Sequence, residues 1–223
     1  LLNDQVSVYG NASRSFRPNG GADINENSFE PEKGLSTELG IKAETLDGRI
    51  AGSLALFKIT KENVVTADPL NPGFSIAAGE VESQGLELDI QGQITDSLRL
   101  NASYAYVDAE VSKDNTLEVG SRLINVPEHA ASLFAVQNIG QGGLGAGINY
   151  VGRRSGDNQD SGFELPAYTT VKLMGFYALS PTVRLSLDVD NLLDKDHYVS
   201  SYSGIWVTPG KRRTLTGSIA YSF

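Results

Sequence analysis

The sequence predicts an all-β protein, an antiparallel transmembrane β-barrel, from three observations. Ten segments alternate apolar and polar residues with a period of two, as strands with a single apolar face do. The connections between these segments are alternately short and long, which is typical of barrels with turns at one rim and loops at the other. No run of about 18 apolar residues occurs, so strands rather than helices are expected to cross the membrane.

The ten predicted strands differ in how clearly they alternate. The last is the clearest, because Leu215 and Tyr221 belong to an apolar parity that ends at Phe223. Residues 49–61 carry apolar side chains on both parities, so a β-bulge is expected near Leu56. The predicted strands are residues 5–16, 33–45, 49–61, 86–91, 98–110, 125–138, 144–153, 166–179, 183–190 and 215–223.

The long connections are all expected at one end of the sheet. They are predicted near residues 17–31, 62–78, 111–124, 154–165 and 196–209, and the short ones near 46–48, 94–97, 139–143 and 180–181. A water-soluble β-sandwich also alternates apolar and polar residues, but it has no reason to gather every long connection at one end. The alternation of connections therefore favours the membrane barrel.

The size of the barrel follows from its edges. An open sheet edge in lipid would leave N–H and C=O groups unpaired, so either ten strands close on themselves or further strands complete the barrel. Each strand with its connection averages about 22 residues, so a 22-stranded barrel with a filled lumen needs roughly 490 residues. Residues 1–223 then form the last ten strands, the C-terminal part of the barrel domain. No export signal stands at Leu1, which is expected to lie inside a longer protein.

The composition excludes several kinds of site. A net charge of -9 argues against a nucleic-acid partner. The absence of cysteine excludes disulfides, thiolate ligands and cysteine nucleophiles from this sequence. With only two histidines and no spacing of the metal-site type, the chain is expected to bind no metal ion directly and to need no cofactor.

Five stretches of the sequence, in this order, resemble the TonB-dependent outer-membrane siderophore receptors. They are YGNASRSFRPN at Tyr9–Asn19, the strand–turn–strand segment Phe29–Val64, GEVESQGLELDIQG at Gly79–Gly92, NVPEHAASLF at Asn125–Phe134 and NLLDKDHY at Asn191–Tyr198. The resemblance covers nearly the whole chain. It departs from the family where Lys211, Arg212 and Arg213 stand in place of the usual Pro-Arg before the last strand.

This resemblance implies a function and a set of partners. The implied protein is a receptor of the bacterial outer membrane, not an enzyme, that binds a ferric siderophore with extracellular loops and imports it with energy from TonB. It implies a 22-stranded barrel whose N-terminal plug and TonB-contacting segment lie outside this chain. The iron arrives already enclosed in oxygen ligands, so no metal-binding residue is required. The apolar parity that ends in Phe223 fits the terminal strand that the barrel assembly machinery recognises, and the apolar faces are expected to contact lipid.

The candidate ligand contacts lie in three of the long loops. Aromatic rings and bidentate cations suit a bulky anionic chelate. The candidates are Trp206, Tyr202 and Tyr198 in the last loop, Arg153 and Arg154 in the loop near residues 154–165, and Phe74 in the loop near residues 62–78. The alternative for the aromatic residues is a belt at the membrane interface. The alternative for the arginines is an ion pair with the nearby aspartates Asp157 and Asp160.

Two other functions remain open from the sequence. A passive outer-membrane porin needs an open lumen, which would be narrow with ten strands. A ten-stranded outer-membrane protease would need a carboxylate–histidine couple, for which only Asp196 and His197 are available, and adjacent strand residues point to opposite faces.

Overall fold

The computed structural model describes residues 4–68, 70–157 and 162–223, without the side chain of Ser203. In chain order the strands are β1 (Val6–Arg17), β2 (Glu32–Glu44), β3 (Ile50–Ala67), β4 (Ser75–Gln93), β5 (Leu98–Lys113), β6 (His129–Ile139), β7 (Gly142–Val151), β8 (Arg154–Ser155), β9 (Glu164–Leu165), β10 (Tyr168–Ala178), β11 (Val183–Asp190), β12 (Tyr198–Ser203), β13 (Trp206–Pro209) and β14 (Thr214–Tyr221).

Ten of these strands form one antiparallel sheet, in the order β1-β2-β3-β4-β5-β6-β7-β10-β11-β14. The prediction of ten consecutive antiparallel strands is confirmed. β1 and β14 are the edges of this sheet, and their described residues do not pair with each other. The four remaining strands form two short hairpins, β8–β9 and β12–β13, inside the long connections after β7 and β11.

Among the described residues, no helix is long and apolar enough to cross a membrane.

The strands β3, β4 and β5 are longer than predicted. β3 continues to Ala67 and β4 already begins at Ser75, so the predicted loop 62–78 shrinks to the short connection between these two residues. β5 extends to Lys113. The added parts of these strands mix charged, small polar and apolar residues without strict alternation, which hid them from the search for alternation. Lys113 of β5, for example, forms an ion pair with Glu80 of β4 at 3.4 Å.

The β-bulge predicted near Leu56 is wrong. The register between β3 and β4 runs without interruption from Ile50 to Glu62, and the irregularities lie farther along, around Val64. Both parities are apolar here for a different reason. Leu56 belongs to the apolar face and pairs with Leu86, whereas Phe57 lies on the opposite face and packs over Gly85, which has no side chain to displace it.

The apolar face of the sheet has a limited height. Along β5 the residues of one parity are apolar or aromatic from Leu98 to Tyr106, and charge begins at Asp108. About 9–11 tilted strand residues suffice to cross the hydrocarbon core of a membrane. Tyr104 and Tyr106 stand at the boundary beside His129, whose Nδ1 lies 2.9 Å from the Tyr104 hydroxyl. Such amphipathic rings are typical of the aromatic girdle of a membrane barrel.

The opposite face is polar, as the sequence predicts. Lys172 of β10 lies 3.4 Å from Asp188 and 3.2 Å from Asp190 of β11. The hydroxyls of Ser103 and Ser132 are 2.8 Å apart across β5 and β6. Through these cross-strand contacts, the polar side chains of this face pair with one another.

Candidate ligand-binding loops

The five connections predicted to be long leave the sheet at one end, although the one between β3 and β4 is short, and the four predicted short turns leave it at the other. The connection between β11 and β14 contains the aromatic hairpin, which we define as β12 and β13 with their turn. Two candidate residues lie near its tip. Tyr202 is 82% exposed and Trp206 is 72% exposed. Tyr198, at the base of the same hairpin, is about half exposed. The structure thus gathers the three predicted aromatic residues in one exposed hairpin.

Arg154 has a different position from the one predicted. Only 2% of it is exposed, and its Nη2 donates a short hydrogen bond to the backbone carbonyl of Tyr198. The guanidinium carbon lies 5.6 Å from the centre of the Tyr168 ring, and burial lowers the pKa of Arg154. This corrects the interpretation of Arg154 as a ligand contact, because its side chain is enclosed by the loops and holds the base of the aromatic hairpin.

Arg153 remains accessible. Its Nη1 lies 3.7 Å from a carboxylate oxygen of Glu164, across the β8–β9 hairpin, and both side chains are at least half exposed. An exposed ion pair of this kind contributes little to stability, so a ligand anion can replace Glu164 at low cost. Of the two aspartates considered as partners from the sequence, Asp160 lies outside the described residues.

Phe74 lies in the connection between β3 and β4, on a separate hairpin. Its backbone closes the turn, since its carbonyl accepts from the Asp68 N–H at 3.0 Å and its N–H donates to Asn71 at 3.1 Å. The Asp68 carboxylate accepts from the N–H groups of Leu70 and Asn71. The half-exposed ring is therefore carried on a hydrogen-bonded turn.

Three asparagines that sequence reasoning missed bridge main-chain groups at the loop end of the sheet. Asn63, Asn125 and Asn191 all have left-handed backbones, with φ values of 61°, 64° and 49°. Asn63 donates to the carbonyl of Pro31 at 3.0 Å. Asn191 donates to the carbonyls of Lys195 at 2.9 Å and Lys211 at 3.0 Å. Asparagine tolerates this backbone better than most residues and carries an amide that bridges main-chain groups. All three lie in the stretches that resemble the receptor family. That position was the one feature of the sequence that could have singled them out.

The Lys211–Arg213 segment, which departs from the family pattern, has a defined role. Arg212 binds both carboxylate oxygens of Asp194, at 3.0 and 2.7 Å, and forms a further ion pair with Asp196. The Arg213 N–H donates to Asp194 at 2.8 Å. The hydrogen bonds from the Arg212 guanidinium hold the pKa of the Asp194 carboxyl far below its usual range. This ion pair joins the two ends of the last long connection.

The Asp194→Asn variant of the complete receptor is expected to unfold at a lower temperature at neutral pH, because Arg212 loses its bidentate partner. Since the pKa of Asp194 is lowered by folding, the contribution is complete above the ordinary carboxyl pKa near 4 and is lost as the pH falls through the lowered value. The difference between the two proteins should therefore stay constant from about pH 7 to pH 5 and shrink below about pH 4. Melting in detergent measures it. Asp196→Asn is the matched control, with a smaller expected effect; a difference that grows in acid would contradict the assignment.

Asp196 and His197 do not form a catalytic couple. Asp196 faces Arg212, while the His197 ring lies 4.5 Å from the ring of Tyr168 and its Nδ1 is 3.0 Å from the carbonyl of Lys195. Among the described residues, no group of three or more His, Cys, Asp or Glu side chains is arranged to hold a metal ion. A cavity of about 470 Å³ opens beneath the aromatic hairpin on the polar face, lined in part by Asn149, Lys172, Asp190 and His197.

Comparison with known proteins places this geometry in a family. Residues 1–192 match the family model described as "TonB dependent receptor-like, beta-barrel". The chain is 49% identical to the metal-pseudopaline receptor CntO of Pseudomonas aeruginosa, over 98% of this chain and 32% of that protein. It is 34% identical to the ferrioxamine B receptor of Salmonella typhimurium, over 100% of this chain and 33% of that protein. The chain thus spans about a third of the length of these curated relatives.

Solved structures agree with the sequence relatives. The siderophore receptor PiuA from Acinetobacter baumannii superposes with a TM-score of 0.86 and 26% identity, over 98% of this chain and 34% of that chain. The ferripyoverdine receptor of the outer membrane of Pseudomonas aeruginosa gives a TM-score of 0.83 and 26% identity, over 100% of this chain and 32% of that chain. The chain belongs to the family of TonB-dependent receptor β-barrels.

Proposed function

We propose that this chain is part of an outer-membrane receptor that binds a metal enclosed in a small organic chelator, a ferric siderophore, and imports it with TonB-derived energy. The observation that carries the proposal is the exposed aromatic hairpin with Tyr202 and Trp206, held in place at the loop end of a barrel-family sheet. Exposed rings on a rigid support offer apolar surface that a bulky chelate can bury. The names of the relatives, a metal-pseudopaline receptor and a ferrioxamine B receptor, support this class of cargo.

Residues 1–223 are proposed to form the C-terminal part of one barrel domain. Its apolar face contacts lipid, with the girdle around Tyr104 and Tyr106 at the outer boundary. Its polar face, which includes Lys172 and Asp188, lines the lumen. Further strands pair with the free edges of β1 and β14, because lipid cannot satisfy their backbone groups. A plug domain fills the lumen, and the TonB contact lies with it outside this chain.

The end of β14 is proposed as the segment that the barrel assembly machinery recognises. Leu215, Ile219 and Tyr221 share the apolar face and are well exposed along a free strand edge. The Phe223 ring continues this face, 6.4 Å from the ring of Tyr221. The alternative of a passive porin has less support. It does not explain the exposed aromatic hairpin, and the relatives compared above are named as receptors.

Growth tests the proposed function. A strain that lacks the receptor gene and is starved of iron is supplied with purified siderophores, one at a time, after the full-length gene is restored. Growth on at least one chelate that the deletion strain cannot use supports import. If the restored strain uses none of them beyond the deletion strain, uptake of these siderophores is excluded.

The orientation of the sheet in the outer membrane can also be tested. Epitope tags inserted near Gly20 and Gly204, in two long connections, should bind antibody on intact cells. Tags near Asp47 and Gly142, at the short turns, should bind only after the cells are opened. A further insertion near Asn158 falls outside the described residues and has the same expected result as Gly20. Labelling of tags at both ends in intact cells would contradict this topology.

A further inference from the structure

Three long connections meet at Asn125. Its side-chain Nδ2 donates to the backbone carbonyl of Ser201 at 2.7 Å, and its Oδ1 accepts from the Ser201 N–H at 2.8 Å. The amide thus pairs with both main-chain groups of one residue, as a neighbouring strand would. Asn125 lies between β5 and β6, whereas Ser201 lies on β12, 76 positions later.

The connection after β7 completes the junction. The Asn125 N–H donates to the carbonyl of Ser155 at 3.0 Å, and the Ser201 hydroxyl donates to the carbonyl of Gly156 at 2.6 Å. Each of the three connections is therefore hydrogen-bonded to the other two. Ser201 is buried, so water does not compete strongly for these bonds.

The aromatic hairpin needs such an attachment. β12 and β13 share four paired positions with two irregularities of register, and an isolated two-stranded hairpin is marginal in water. In the described part of the chain, the rings of Tyr202 and Trp206 have no ring partner of their own. The positions of both rings thus depend on where the hairpin backbone is held, which is at Ser201 and at the carbonyl of Tyr198.

We propose that Asn125 is a positioning residue for ligand binding. It does not contact the chelate, but it couples three connections so that Tyr202 and Trp206 are presented in one arrangement. A hairpin ordered in advance loses less conformational freedom on binding, which raises affinity. This inference rests on the proposed function, because it assigns the hairpin to the ligand surface.

The Asn125→Gly variant tests the contribution of the side-chain amide. Glycine adopts the left-handed backbone of Asn125 without strain, so the substitution removes the side-chain bonds alone. Asn63→Gly is the matched control, since Asn63 has the same backbone region and also bridges a carbonyl, that of Pro31. Ser201→Ala is a milder second variant, which loses the bond to Gly156 and keeps the main-chain pairing with Asn125.

Two measurements on the full-length receptor test the proposal. A nitroxide on Ile205→Cys, at the exposed tip of the aromatic hairpin, reports hairpin mobility, and this chain has no other cysteine. Titration with ferrioxamine B and with metal-loaded pseudopaline reports affinity. Asn125→Gly should sharpen the nitroxide spectrum and weaken binding about tenfold, with Ser201→Ala intermediate and Asn63→Gly unchanged. Heat-modifiability on gels should stay normal in all variants.

The outcomes separate this inference from the proposed function. An unchanged nitroxide spectrum in Asn125→Gly overturns the coupling. A mobile hairpin with unaltered affinity overturns the positioning role, and Asn125 then only stabilises the structure of the loops. If the parent receptor binds neither chelate, the proposed cargo fails, while the nitroxide spectra still decide whether Asn125 couples the connections.

Discussion

Trp206→Ala in the complete receptor is expected to weaken chelate binding by roughly 5- to 150-fold. Burying a large apolar side chain is worth about 1–3 kcal/mol, and 1.4 kcal/mol corresponds to a factor of ten in affinity. Trp206 is 72% exposed in this structure, so most of that burial remains to be gained when a chelate binds. Titration of the purified receptor in detergent with each candidate chelate measures the change.

A matched variant separates ligand contact from loop disturbance. Ile205→Ala alters the neighbouring residue, which is 93% exposed at the tip of the same hairpin, and should leave affinity nearly unchanged. If Trp206 instead anchors the barrel at the lipid interface, Trp206→Ala lowers thermal stability or assembly and leaves affinity intact. Unaltered binding by an intact barrel would rule out the ligand role.

Gly85→Ala is expected to have the largest effect on assembly. A methyl group at this position would overlap the backbone carbonyl oxygen of Tyr106 and lie 2.9 Å from the Phe57 ring. The carbonyl belongs to the β4–β5 pair and cannot move without disturbing that register. Overpacking of this kind costs about 1–3 kcal/mol. The melting temperature and the yield of heat-modifiable barrel should both fall.

Gly175→Ala is the control for this substitution. Gly175 lies in β10, with paired neighbours on both sides, and a methyl group there would meet Leu144 at an ordinary 3.5 Å. Replacing a strand glycine where the methyl group meets only ordinary contacts should be neutral or slightly stabilising, because glycine weakens strands. Equal losses in Gly85→Ala and Gly175→Ala would show that the close approach at Tyr106 is not the cause.

The sequence predicts the order of the strands well and their ends poorly, for one physical reason. Alternation arises where one face meets an apolar environment, as along Leu54 and Leu56 of β3. Beyond that zone the same face carries Lys58 and Thr60, although the hydrogen-bonded ladder continues to Ala67. Strand pairing there is carried by the backbone, which leaves no pattern in the side chains.

The candidate site was predictable by residue type and not by arrangement. Aromatic residues concentrated in one long connection predicted Tyr202 and Trp206, and both are exposed there. The burial of Arg154 depends on a contact with the Tyr198 carbonyl, 44 positions away, which no local pattern encodes. The role of Asn125 has the same origin, since its partner Ser201 lies on a distant strand.

The long strands β3, β4 and β5 have a consequence for access to the lumen. Residues 57–67 of β3 continue past the apolar zone, and at about 3.4 Å per residue they extend on the order of 30 Å farther along the strand. β11, in contrast, ends at Asp190, directly after its last apolar residue Val189. The strands therefore end at different levels, far beyond the apolar zone at β3 and directly at its border at β11, where the connection with the aromatic hairpin begins. In the proposed receptor, a chelate that approaches beside β11 therefore meets the aromatic hairpin, whereas beside β3 it meets the wall of the extended strands.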